Sequence, residues 1–417
     1  MTKDQFTIVK LTALGGTLEF YDFTIYALFA PFISYHFFTN TNQLIGLINT
    51  FAVFALGYLA RPLGGIFFGH LGDRLGRKSA FALAVFLMAI ATLLMGCLPS
   101  YQSIGMTSPI LLIGLRLMQG FSVGGEIPGA AIFTLEHVPE NKQGFSIGIV
   151  FMCITLGNTL GAAVGLLLTT LLDHQQMMDW GWRVPFILGF LLGIISYVIR
   201  RNAIETPTFL AMQKEQQIHR VPILKLLQSS RKKLVISFLL TAVPASIISL
   251  LLYLPTYLTS VLKMDITHTY WINFMSFLSF ALLTSFFGWI SDLVSREKLV
   301  TFGATSLLLV SYVLFYKLSV FGESFIWVFV TGFTLFGAMV NGSYVALLAK
   351  SFPAPLRYSG VGLSYSLGIA LFGGIAPLAF TGLIKWFGLV EAPAFYMIAC
   401  GAITLASVWL MRRRVSS

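Results

Sequence analysis

Long apolar runs alternate with short polar ones along the whole of this chain. They cover roughly 10–36, 44–70, 79–98, 108–136, 144–172 and 183–201, then, after a longer polar stretch, 232–262, 268–290, 299–318, 323–350, 357–386 and 392–411. Each comes close to the about 20 residues with which a helix crosses a hydrocarbon core, and several have length to spare for tilt. The runs are unbroken, without the every-second-residue alternation of barrel strands. A backbone in lipid must satisfy its own hydrogen bonds, so helices are predicted throughout. The pattern predicts an all-α membrane protein with twelve transmembrane helices, spans 1 to 12.

The stretch "NAIETPTFLAMQKEQQIHRVPILKLLQSSR" (202–231) divides the spans six and six. Its spaced Leu, Met and Ile among cationic residues predict a short helix lying on the inner membrane surface. The expected organisation is an N-terminal six-helix bundle (1–201), a cytoplasmic linker carrying that surface helix (202–231) and a C-terminal six-helix bundle (232–417). An internal repeat supports the division. "GHLGDRLGRK" (69–78) ends span 2, and "GWISDLVSREK" (288–298) ends span 8, the equivalent place in the second half. Two pseudo-symmetric halves around a midplane site are a common transporter plan. Channels, receptors and membrane enzymes with as many spans seldom show it, so transport is favoured.

Composition agrees. Of 417 residues, 57% are apolar and only 10% charged, against about 25% charged in soluble domains. With both termini placed in the cytoplasm, only Arg183, Lys263, Lys317 and Lys385 of the 27 basic residues fall outside, while Arg61 and Arg116 lie within spans. The positive-inside rule therefore predicts cytoplasmic termini, and the net charge of +11 belongs to the inner rim rather than to nucleic acid. Cys97, Cys153 and Cys400 lie in or beside apolar runs without paired spacing, and the histidines never reach metal-ligand spacing, so neither a disulfide nor a metal site is expected. No small-residue cleavage site follows "MTKDQFTIVK", so the first span is expected to stay in the mature protein.

Ionisable residues inside spans mark functional sites by default, because a charge in the bilayer is costly. In "GGTLEFYDFTIY" (15–26) Gly15, Glu19, Asp22 and Tyr26 recur at helical spacing and form one polar stripe, expected to line a transport cavity. Two acids a turn apart in low dielectric cannot both ionise cheaply, so one of them is expected to carry a proton. Arg116, well past Pro109 in span 4, needs an acid, a carbonyl or water at that depth. It is the candidate counter-charge for Glu19 or Asp22 and the candidate receptor for an anionic substrate group. A purely structural pairing with Glu19, Asp22 or Glu126 is the alternative. Glu126, further along span 4, and Arg61, in "RPLGG" of span 2, are candidates for gating or for interhelical pairing.

"GHLGDRLGRK" fits G-x-x-x-D-R-x-G-R-K and "RLMQG" (116–120) fits R-x-x-Q-G, both of which resemble motifs of the major facilitator superfamily. "LEFYDF", "RPLGGIFFGHLGD", "QGFSVGGE", "DWGWRVPF" and "FPAPLRYSG", in order across nearly the whole chain, resemble its metabolite:proton symporters, the group with proline/betaine, 2-oxoglutarate, citrate and shikimate transporters. The resemblance implies the major facilitator fold, a bacterial cytoplasmic (inner) membrane, and proton-coupled uptake of a small organic acid or zwitterion by alternating access. It also implies that the 69–78 loop, with Asp73, Arg74, Gly76 and Arg77, latches the two bundles on the cytoplasmic side. Physically, the glycines permit a tight turn, Asp73 can face a neighbouring helix N-terminus, and the basic residues anchor at phosphate level. In the second copy Asp292 remains, but Leu293, Ser295 and Glu297 depart from the pattern, so a weaker latch is expected there. "GNTLGAAVG" (157–165) in span 5 has Ala162 where proton-coupled exporters of the superfamily have proline, which shifts weight toward uptake. Some osmolyte-transporting relatives carry a long charged C-terminal helix; this chain ends on "RRRVSS", so osmotic regulation is not expected.

The second half is nearly free of intramembrane charge. Its polar candidates are Tyr253 and Tyr257 around Pro255 in span 7, Asn273 in span 8, Asn341 and Tyr344 in span 10, and Tyr365 in span 11. Taken singly, such residues are more often packing or interhelical contacts. Together with Tyr26 and Arg116 they suggest a substrate pocket with charge on one side and aromatic faces or hydrogen bonds on the other. Aromatic faces suit a quaternary ammonium and Arg116 suits a carboxylate, so an organic acid or zwitterion fits better than a sugar or bulky drug. No nucleophile–base constellation or phosphate-cradling loop supports an enzyme. The proton is the expected coupling ion with no further cofactor, and the expected partners are the substrate and membrane lipid around a monomer. An uncoupled facilitator or exporter and a non-transporting nutrient sensor are the other readings; the sensor would have no need of buried charges.

Overall fold

The computed structural model of the chain describes residues 17, 20–22, 24–38, 42–75, 77–124, 134–135, 138–201, 226, 228, 230–352 and 354–415, with 69–75, 77–81, 140, 199–200, 354–359 and 414–415 described as backbone. Among these residues the regular structure is helical throughout. Span 1 is helical at 17, 20–22 and 24–28 and continues as Ala30–Phe37. Spans 2 to 6 are Gln43–Leu75, Arg77–Cys97, Thr107–Ser122, Gln143–Leu171 and Val184–Arg201. Span 7 is built from Arg231–Leu240, Ala242–Thr256 and a π-helical turn, Tyr257–Val261. Spans 8 to 10 are Ile266–Leu293, Arg296–Phe321 and Ile326–Lys350. Span 11 joins Ala354–Gly368, a second π-helical turn at Ile369–Gly374, and Ala376–Phe387; span 12 is Pro393–Val415. Among the described residues eight segments are long and apolar enough to cross a membrane, and one of them, Arg296–Lys350, holds both span 9 and span 10.

Helix reaches further into both repeated segments than the apolar runs do. Helix runs through 69–75 and resumes at Arg77; in the second copy it runs to Leu293 and resumes at Arg296 after an extended Val294. Leu, Arg and Lys in both segments are good helix formers and carry the helix on to the surface. The surface helix expected over 202–231 falls almost wholly outside the described residues.

Both π-helical turns adjoin a proline, and in each case a neighbouring span satisfies the carbonyl that the proline leaves without an N–H. Pro255 cannot donate to Leu251 O, which accepts instead from Asn273 Nδ2 of span 8 at 2.7 Å. Pro377 leaves Gly373 O, which accepts from Ser249 Oγ of span 7 at 2.8 Å. Tyr396 of span 12 donates to the next carbonyl back, Phe372 O, at 2.9 Å.

The first six spans meet the last six at both ends and midway. At one end Tyr270 donates to Leu28 O at 2.8 Å, Thr267 to Thr169 O at 2.9 Å, and Lys263 to Gln43 Oε1 at 3.2 Å. Midway, the rings of Phe51 and Tyr253 lie 5.4 Å apart, and Gly374 lets span 11 close onto Tyr58. At the other end spans 5 and 8 cross on small residues, where a methyl on Gly148 would stand 3.1 Å from the Ser285 Cα and 3.2 Å from the Gly288 Cα. Further along span 5, Gly157 and Gly161 face span 1 and Gly165 faces Tyr270, so the expected small-residue surface packs against both halves.

Candidate substrate and proton site

Spans 2 and 4 approach so closely that a methyl on Gly120 would run into the Gly57 backbone. The same Gly57 leaves room for the Arg116 side chain, whose Nε would stand 3.0 Å from an added methyl. Arg116 is fully buried. Its guanidinium carbon lies 4.5 Å from the centre of the Tyr26 ring and 4.8 Å from that of Phe54. Cation–π attraction in a desolvated setting reaches about 2 kcal/mol, which offsets part of the cost of burying the charge. Tyr26 is held by its hydroxyl, which donates to Thr50 O at 3.2 Å. The aromatic surface continues across the midline, from Phe54 to Phe51, then to Tyr253 of span 7 and on to Phe380 of span 11, with neighbouring centroids 5.3–6.4 Å apart. Arg116 thus faces the junction of the two halves.

Asp22 does not. Its carboxylate is fully buried and turned toward spans 3 and 6. A methyl on Gly189 would overlap Oδ1, and one on Gly193 would stand 3.6 Å from Oδ2. Among the described residues neither oxygen accepts a hydrogen bond; the hydroxyl of Thr92, beside it, donates to Met88 O at 3.0 Å. Two expectations change as a result. Asp22 and Tyr26 do not form one stripe lining a cavity, because span 1 is packed on both flanks and the two side chains enter different interfaces. Nor do Asp22 and Arg116 form an ion pair. They are joined through Gln119, whose Oε1 accepts from Arg116 Nη1 and whose Nε2 donates to Asp22 O at 3.2 Å and Thr92 Oγ at 2.9 Å.

The remaining candidates divide by what they touch. Tyr253 lies at the junction, with Thr381 Oγ donating to its hydroxyl at 3.2 Å. Tyr257 turns away from the junction; its ring packs on Phe315 of span 9 and its hydroxyl donates to Val390 O at 2.9 Å. The amide donor of Asn273 is committed to the carbonyl below Pro255. Asn341 is fully buried, and among the described residues neither end of its amide has a hydrogen-bond partner. Arg61 is buried with its guanidinium 4.0 Å from the Tyr58 ring, close to Tyr365, which neighbours Tyr344. Tyr344 meets Phe151 of span 5 edge-on. Asp292 accepts from the Gly144 and Phe145 N–H groups at the start of span 5, at 2.7 and 2.9 Å, and pairs with Arg296 at 3.1 Å. Glu19, Gly76 and Glu126 lie outside the described residues, and Asp73, Arg74 and Arg77 are described only as backbone. Sequence reasoning missed Gln119, Thr92 and Gly189. The signal for Gln119 was present: an amide one helical turn from a buried arginine inside an apolar span.

Residues 12–363 match the family model described as the Major Facilitator Superfamily. A putative proline/betaine transporter of Staphylococcus aureus (strain COL) is 34% identical over 406 residues, which cover 95% of this chain and 85% of that protein. The proline/betaine transporter of Escherichia coli (strain K12) is 30% identical over 95% of this chain and 81% of its own length. The glycine betaine/proline/ectoine/pipecolic acid transporter OusA of Dickeya dadantii (strain 3937) is 30% identical over 97% of this chain and 82% of its own. Among solved structures, a D-xylose-proton symporter superposes with a TM-score of 0.78 over 97% of both chains at 18% identity. The xylose transporter XylE from E. coli, partially occluded and inward open, superposes with a TM-score of 0.76 at 15% identity, over 99% of this chain and 98% of that one. At such identities the likeness speaks for the fold alone.

Proposed function

Since this chain belongs to the major facilitator superfamily and is a multi-pass membrane transporter rather than an enzyme, we propose that it takes up a small zwitterion of the proline or glycine betaine kind together with a proton. The observation that carries the reading is the seat of Arg116. A buried guanidinium on the faces of Tyr26 and Phe54, with Tyr253 continuing the aromatic surface from the other half, offers a carboxylate its counter-charge and an ammonium its π faces. Asn341, buried with an unpaired amide among the described residues, adds a polar contact from the second half. The names of the relatives support the same substrate class.

Asp22 is the proton carrier in this reading. A buried carboxyl group without hydrogen-bond donors is favoured as the neutral acid, and it ionises when the surroundings supply a donor or water. Bundles 1–201 and 232–417 rock about the site, with the Asp292 contact closing the cytoplasmic end and the Tyr270 contact the outer end. Both termini are cytoplasmic, in a bacterial inner membrane, and the monomer is the working unit.

The test is uptake by purified protein in proteoliposomes, with radiolabelled L-proline, glycine betaine, citrate and 2-oxoglutarate, with and without an inward proton gradient. Gradient-driven accumulation of L-proline or glycine betaine is expected, and Asp22→Asn should abolish accumulation while retaining exchange. Equal uptake with and without the gradient would mean a facilitator, and accumulation of none of the four would sink the reading.

A further inference from the structure

The position of Asp22 raises a problem for coupling. The carboxylate faces spans 3 and 6 while the candidate substrate receptor faces the junction of the halves, so a substrate on Arg116 does not touch the group that carries the proton. The groups around that carboxylate can be named element by element: Thr92 from span 3, Gln119 from span 4, Gly189 and Gly193 from span 6, and Tyr21 from its own span, whose hydroxyl is engaged with Pro185 O at 3.0 Å. Among the described residues no Lys, Arg, His or second acid faces it from these elements, and the charge of Arg116 reaches it through Gln119.

We propose that Gln119 is the positioning residue that couples substrate to proton, because a carboxylate ligand on Arg116 breaks a chain of donors, Arg116 to Gln119 to Thr92, that ends beside Asp22. This rests on the reading of Arg116 as substrate receptor and Asp22 as proton carrier. Without ligand, Arg116 donates to Gln119 Oε1 and the amide N–H groups point the other way, to Thr92 Oγ and to the main chain of Asp22. Each donor in such a chain polarises the next. The Thr92 hydroxyl accepts from Gln119, and turning its O–H from Met88 O presents a donor to the Asp22 carboxylate. So turned, the chain favours the ionised acid; with the hydroxyl on Met88 O, as it stands, Asp22 has no donor among the described residues.

A ligand carboxylate draws the guanidinium toward itself. Gln119 Oε1 then lacks its donor, and a buried amide oxygen left so is costly. Turning the amide over relieves that cost, because Oε1 then accepts from the Thr92 hydroxyl and the amide N–H groups point to the ligand carboxylate. The donor aimed at Asp22 is gone, and the neutral acid is favoured. Ligand and proton thus enter together, which is the sign that symport requires, and by linkage protonation tightens ligand binding by the same factor. Gln119 can serve because its amide presents an acceptor at one end and two donors at the other. Glutamate, leucine or methionine at this position would not supply both.

The experiment uses the full chain in proteoliposomes with radiolabelled L-proline and glycine betaine as probes. Two quantities are read: half-saturation in equilibrium exchange as a function of pH, and accumulation under an inward proton gradient. In the unaltered protein, half-saturation should fall as pH is lowered. In Gln119→Leu this pH dependence should flatten and accumulation should drop about tenfold, within the range of coupling between two sites, while exchange falls far less. Thr92→Val should reproduce the uncoupling, and Thr92→Ser, which keeps the hydroxyl, should restore it. Wild-type pH dependence in Gln119→Leu or in Thr92→Val would overturn the inference and leave the proposed function standing. If Gln119→Leu fails to fold, the Thr92 pair decides alone. Absence of gradient-driven accumulation in the unaltered protein would remove the proposed function and the inference with it.

Discussion

Asp292 of span 8 accepts the backbone N–H of Gly144 in span 5 at 2.7 Å, and its second oxygen takes the N–H of Phe145 at 2.9 Å. One carboxylate thus serves two of the N–H groups that a helix start leaves without intrahelical partners, at the positive end of the helix dipole. It does so across the junction of the two halves. The position belongs to the repeated motif whose second copy carries Leu293, Ser295 and Glu297 at odds with the pattern, yet the aspartate and Arg296 keep their contact at 3.1 Å. Asp292→Asn removes the charge and one acceptor oxygen, at a cost of about 1–3 kcal/mol to the closed contact. The expected outcome is faster alkylation of a cysteine placed at Ser291, measured in a background without Cys97, Cys153 and Cys400. An unchanged rate would show that the contact does not hold this end shut.

Gly189→Ala tests where Asp22 points. The added methyl would overlap Oδ1, and Thr92 Cγ2 lies only 3.1 Å from it, so the carboxyl group must move. Such overpacking costs about 1–3 kcal/mol. Gradient-driven uptake should be lost in step with a lower melting temperature. Gly114→Ala, with nothing within 4 Å of the new methyl, is the control and should change neither.

Asn273 is expected to act on stability before it acts on substrate. Asn273→Leu leaves Leu251 O without a donor beneath Pro255, a loss of about 1–3 kcal/mol. Pro255→Ala returns a backbone N–H to that position. The double variant should therefore recover much of the thermal stability that the single change removes, as read from melting of the detergent-solubilised protein. Additive losses would mean that the two residues act separately.

Tyr253 separates the aromatic face from the hydroxyl. Tyr253→Phe keeps the ring between Phe51 and Phe380 and gives up the contact with Thr381. Glycine betaine uptake should survive that change. Tyr253→Ala removes the π surface, and the half-saturating concentration of glycine betaine should rise about tenfold, from roughly 1–2 kcal/mol of lost cation–π attraction. Equal effects of the two substitutions would point to the hydroxyl instead.

Much of the architecture was legible along the chain because lipid leaves the backbone little choice. A run of some 20 apolar residues must close its own hydrogen bonds, and the helices fall where the apolar runs place them. The candidate charges were legible for the same reason, since Asp22, Arg61 and Arg116 stand out in apolar surroundings. Their directions were not. Helical spacing put Asp22 and Tyr26 on one stripe, but a span packed on both flanks gives neighbouring positions of a stripe to different partners. The apolar runs also stop short of the helix ends near 69–78 and 288–298, because composition marks a surface segment without saying whether the helix ends there.

The sequence by itself determined the helical class, the six-and-six order of the spans and the few side chains able to carry charge inside them. Only the tertiary structure decided which of those groups meet. What Gln119 joins to Arg116, whether Asn273 serves a ligand or the gap under a proline, and on which side of span 1 the carboxylate lies are set by contacts between residues far apart in the chain. Hydropathy is a property of each segment alone, and it fixes what can be buried. A hydrogen bond needs a partner within about 3 Å in the right direction, and that partner is supplied by the packing of one helix against another.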